Sequence, residues 1–85
     1  MIKAIDKVEI EEYMFLLEYD TSAEAIGRDP YVLWIFKNGE PLLLDDEKTQ
    51  VRKYFPPVFQ RSYLVEFCHN FVSNERFRKL FIWSA

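Results

Sequence analysis

Asp29-Pro30-Tyr31-Val32-Leu33-Trp34-Ile35-Phe36-Lys37-Asn38-Gly39-Glu40-Pro41 is the stretch on which the fold turns, because two sets of local rules claim it. Read as a helix, it has Asp29 at the N-cap, Pro30 at the first helical position, Gly39 past the end and Pro41 as a stop. Read as a hairpin, it has Asn38-Gly39 as a type I′ turn between β-rich Tyr31 to Lys37 and Pro41 to Leu44. The apolar run Tyr31 to Phe36 is too short for periodicity to separate the two. The helix is narrowly preferred, and a hairpin over residues 31–44 is the alternative. Either way the segment is core.

Upstream, Asp6 with Glu9 three residues later has the form of a capping box, predicting a helix to about Tyr19. Ile10, Tyr13, Met14 and Leu17 make one stripe on it, and Val8, Phe15 and Tyr19 a second, so that helix is apolar on two sides. Thr21 with Glu24 repeats the cap signature, and Gly27 ends a short connecting helix. Downstream, acidic Asp45, Asp46 and Glu47 followed by Arg52 and Lys53 match the dipole of a helix closed by Pro56-Pro57. Pro57 then opens a helix to about Val72 with Leu64, Phe67, Cys68 and Phe71 on one face. Ser73 or Asn74 caps a last helix from Glu75 to about Trp83. The expected fold class is mainly α: one domain over residues 1–85, a compact bundle of about four or five helices, with α+β as the alternative. Its predicted core is Met14, Leu17, Val51, Phe55, Leu64, Phe67, Phe71, Phe77 and Leu80.

Charge is segregated along the chain. Residues 1–47 hold 12 Asp/Glu against 4 Lys/Arg and residues 48–85 hold 2 against 7, giving −8 and +5 and the overall −3. A chain that is 49% hydrophobic with 15 aromatic residues has apolar groups to spare, since a domain of this length hides only about 60 to 65% of its unfolded surface. The single cysteine, Cys68, excludes an internal disulfide and fits a cytoplasmic protein better than a secreted one. The N-terminal residues lack the apolar run of a signal peptide, and no apolar stretch approaches the roughly 20 residues of a spanning helix, so no membrane association is expected.

No catalytic, metal or cofactor constellation is visible. Cys68 and His69 are neighbours that project about 100° apart on a helix, and no second Cys or His completes a ligand set. Cys68 reads as a buried apolar residue and His69 as a surface one. The acidic clusters lack the glycine turn and alternating ligands of a calcium loop. No serine sits in a glycine-framed elbow, and Gly27 and Gly39 are isolated. The chain is therefore expected to be no enzyme, to hold no metal and to need no cofactor.

What remains is binding. An acidic surface formed by Glu9, Glu11, Glu12, Asp45, Asp46 and Glu47, with Trp83 as an aromatic anchor, suits a partner protein with a basic surface. The expected role is a small regulator or inhibitor that docks on a larger protein, a size class that includes phage-borne inhibitors, and a homodimer is the expected state. The alternative is nucleic-acid binding by the basic C-terminal helices through Arg76, Arg78 and Lys79, against which the low isoelectric point weighs.

Overall fold

The computed structural model describes residues 2–44 and 46–84, with side chains through residue 81. Five strands and three helices follow one another as β1 (Ile2–Ile10), β2 (Tyr13–Asp20), α1 (Thr21–Ala25), β3 (Tyr31–Lys37), β4 (Glu40–Pro41), β5 (Arg52–Phe55), α2 (Arg61–Ser73) and α3 (Glu75–Ser84). The strands form one antiparallel sheet in which β1, β2 and β3 are consecutive neighbours and β4 and β5 share the far edge of β3. Between those last two, residues 42–51 leave the edge in a loop closed by the amides of Leu42 on Ile35, Leu44 on Thr49 and Val51 on Leu42. This is an α+β arrangement, and it overturns the helical bundle that caps and charges predict.

The predicted first helix is the hairpin β1–β2. Its register, Ile10 opposite Tyr13 and Val8 opposite Phe15, alternates Val8 and Ile10 with Lys7 and Glu9, as a half-buried strand requires. The two residues of the turn are Glu11 and Glu12, and Glu11 takes a φ of 54°, a left-handed conformation that glycine or asparagine normally signals. Asp6 caps no helix: its carboxylate accepts from the Lys7 amide at 2.8 Å and pairs with Arg61 Nε at 2.8 Å. On β2, both faces are apolar, which imitates a helix with two stripes.

The ambiguous stretch is the hairpin β3–β4. Asn38 and Gly39 have φ values of 52° and 80°, the left-handed pair of a type I′ turn. The predicted helix after Asp45 is also absent. Asp46 instead accepts from the amides of Lys48 and Thr49 and from the Thr49 hydroxyl, fixing a tight turn, and Arg52–Phe55 pair with β3. Dipole matching contributes only about 0.3 to 1 kcal/mol per charge, less than leaving the edge of β3 without backbone partners costs. α2 begins at Arg61 rather than Pro57 because Phe59 N–H bonds Pro56 O in a turn first. α3 starts at Glu75, with Asn74 Oδ1 accepting from Phe77 N–H.

One face of the sheet and α2 enclose the core. Tyr13, Phe15, Leu17, Leu33, Ile35, Val51 and Phe55 meet Leu64, Phe67, Cys68 and Phe71, with Phe77 and Phe81 of α3 packed against them. Phe71 edges onto both Tyr13 and Phe15, and such aromatic pairs add about 0.5 to 1.5 kcal/mol beyond area burial. Two predicted core residues fall elsewhere: Met14 points to the opposite face of the sheet, and Leu80 is 64% exposed. Among the described residues no helix is long and apolar enough to cross a membrane.

Candidate functional site

The face of the sheet turned away from α2 is built from alternate residues of β1, β2, β3 and the β4–β5 edge, since successive side chains on a strand point to opposite sides. Its rows follow from the register. Glu9, Met14, Phe36 and Pro41 stand opposite one another, then Lys7, Leu16, Trp34 and Arg52, then Ala4, Glu18, Val32 and Tyr54. The two central columns carry Met14, Leu16, Trp34 and Phe36, half-buried and outside the core cluster, together with Val32, which is buried, and Glu18 at one end. Charged side chains stand along the flanks. An apolar centre with a charged rim is the anatomy of an interface.

Two contacts organise this face. Trp34 Nε1 donates to Glu18 Oε1 at 2.6 Å, which ties the indole to the neighbouring strand. The Arg52 guanidinium lies 5.8 Å from the Trp34 ring centroid and 5.6 Å from that of Tyr54. Arginine held over two rings covers apolar surface while carrying a charge at its tip. Tyr54 also borders two open hollows, one of about 520 Å³ with Asp20, Ala23, Gly27, Arg28 and Asp29, the other with Leu44, Thr49, Gln50 and Arg52. Among the described residues that line them there is no His, Cys or Ser with which a carboxylate could form a nucleophile–base pair.

The acidic residues named from the sequence divide by position. Glu9 is at the end of β1, and Glu11 and Glu12 form the turn after it. Asn38 N–H donates to Glu12 O at 2.8 Å, so the β1–β2 and β3–β4 turns lie side by side and Glu40 joins the same end. Lys7 reaches Glu9 at 3.6 Å, and Lys37 lies over the Tyr13 ring. Asp46 and Glu47 are exposed in the 42–51 loop, and the Thr49 hydroxyl, then the Thr49 and Lys48 amides, hold the Asp46 carboxyl below its ordinary range. Asp45 and the Trp83 side chain lie outside the described residues.

The basic set is less available than its sequence suggests. Arg78 Nη1 donates to Phe71 O at 2.7 Å and Val72 O at 2.9 Å, closing the end of α2, and its guanidinium also lies over Tyr13. Lys79 pairs with Glu75 at 3.1 Å. Arg76 is exposed.

Cys68 is fully buried, and burial, reinforced by Asp6 and opposed by Arg61, pushes its thiol up to about 12. A thiol so raised is almost wholly protonated at neutral pH and unreactive. His69 is exposed. Among the described residues no three His, Cys, Asp or Glu side chains converge on a metal position. Sequence reading missed Leu16, Trp34, Phe36, Arg52 and Tyr54 as a single surface; the available signal was Lys7-Val8-Glu9-Ile10, whose strict alternation marks a strand. No family model matches this chain, and no curated protein or solved structure resembles it significantly.

Proposed function

We propose that this chain is a non-catalytic protein-binding module, a small regulator or inhibitor that docks on a basic surface of a larger protein through its acidic turn end. The observation that carries the reading is the Asn38–Glu12 backbone bond, which gathers Glu9, Glu11, Glu12 and Glu40 at one end of the sheet beside Met14 and Phe36. Carboxylates concentrated at one end of a sheet steer a cationic partner and set its orientation. Asp46 and Glu47 are exposed carboxylates on the segment that follows β4.

Affinity capture from host lysate with wild type beside the Glu11→Lys, Glu12→Lys double variant tests this. A partner lost on reversal, together with an association rate that falls with salt only for wild type, is the expected result. A partner captured equally by both proteins overturns the acidic end as the docking surface.

The nucleic-acid reading rests on Arg76 and on the Trp34–Arg52–Tyr54 stack, which could take bases. The acids at both ends of the face oppose phosphate, and electrophoretic mobility shift with single- and double-stranded DNA and RNA at low salt separates the two readings.

A further inference from the structure

We infer that the outer sheet face is covered by a second copy of this chain, the two copies packing face to face with their strands nearly at right angles. This goes beyond the acidic-end reading and does not depend on it, because the acidic turns stay at the rim of the pair.

The choice of a copy over a foreign partner follows from charge. The charged residues of the array are Lys7 and Arg52 against Glu9 and Glu18, which cancel. A net-neutral array offers no attraction to the basic partner suited to the acidic turns, whereas a second copy supplies carboxylates in the same number as the cations it meets. Geometry then selects the orientation. Strands stand about 4.8 Å apart and same-face rows about 6.8 Å apart, so each position can be carried through a two-fold axis lying in the interface and passing between Leu16 and Trp34.

An axis along the strands sets Lys7 against Arg52 of the second copy. An axis along the rows sets Lys7 against Lys7 and Arg52 against Arg52. An axis on the diagonal that carries Glu9 onto the neighbourhood of Tyr54 avoids both: Lys7 approaches Glu18 of the second copy, and Arg52 lies over Met14 and Phe36. That diagonal crosses the strands near a right angle, one of the two ways sheets pack. The array measures about 20 by 20 Å, so the pair buries about 800 Å² in total, below the roughly 1,200 Å² at which stable interfaces begin. The dimer is consequently weak and reversible, weaker than the roughly micromolar affinity at the low end for full-size interfaces.

Sedimentation velocity from about 5 to 500 µM tests this, a range that lies above the micromolar level. Wild type is expected to move from the 10.3 kDa monomer toward twice that mass. Leu16→Arg is expected to remain monomeric with an unchanged circular dichroism spectrum. Should Leu16→Arg unfold, Lys7→Glu supplies the second variant: it should weaken self-association and recover it when mixed with Glu18→Lys. Wild type that stays monomeric across the range, or a dimer indifferent to Leu16→Arg and Lys7→Glu alike, overturns the inference. Loss of the dimer leaves capture by the acidic end intact, whereas Glu11→Lys, Glu12→Lys removes capture and leaves the dimer, so the two failures are distinguishable.

Discussion

Trp34 and Glu18 sit diagonally across β2 and β3 and share a hydrogen bond of 2.6 Å from the indole Nε1 to the carboxylate. A charged acceptor makes such a bond worth about 1.5 to 3 kcal/mol when buried, less at partial exposure. Glu18→Ala should therefore lower stability in urea unfolding by about 1 to 2 kcal/mol. Glu18→Gln keeps an acceptor in place and should lose less. Equal losses for the two variants would mean that the side chain acts through packing alone.

Phe71 and Phe67 each meet four other rings, and Phe71, the more deeply buried of the two, should be among the costliest residues to truncate. Phe71 contacts Tyr13, Phe15, Phe67 and Phe81, and Phe71→Ala should cost about 3 to 5 kcal/mol, most of a small domain's stability. Leu80→Ala, at an exposed position, should stay within about 0.5 kcal/mol of wild type. Similar melting shifts for both would return Leu80 to the core.

Glu11 holds a left-handed backbone without the residue type that favours it. Asparagine tolerates that conformation, so Glu11→Asn should raise stability by about 0.5 to 1 kcal/mol, or several degrees in melting temperature. A lowered melt would show that the carboxylate itself supports the turn.

Arg78 closes α2 by donating to the carbonyls of Phe71 and Val72. Arg78→Ala should cost about 1 to 3 kcal/mol, so its loss confounds any test of nucleic-acid binding. Arg76→Ala with Lys79→Ala is the informative pair: mobility shift abolished by it, in a protein that still melts like wild type, would favour the nucleic-acid reading.

Cys68 sets a limit at alkaline pH. Its folded-state ionisation is raised from 9.0 to about 12, so between those values the native thiol keeps a proton that the unfolded chain releases. Stability present below pH 9.0 is lost as pH rises toward about 12, at no more than about 1.4 kcal/mol per unit. Because tyrosines and lysines titrate in the same range, the measurement is the difference between wild type and Cys68→Ala in denaturant midpoints at pH 8 and pH 10, about one unit either side of the ordinary thiol value. A parallel decline in the two proteins would contradict the burial of that thiol.

Wherever the chain's own hydrogen bonds suffice, the sequence determined the outcome. α3 starts where Asn74 and Glu75 announce it, and α2 presents Leu64, Phe67, Cys68 and Phe71 on one face. These features need no distant partner. The sheet does. β2 is apolar on both faces, so Tyr13-Met14-Phe15-Leu16-Leu17 satisfies a helical stripe as readily as a strand, and only pairing with β1 and β3 decides between them. The same holds at Arg52–Phe55, where cations suited to a helix end are overruled by the backbone groups of β3. The outer face was illegible for the same reason: Leu16, Trp34 and Arg52 become neighbours only through register, since cross-strand adjacency depends on where three separate segments align and not on any spacing within one of them.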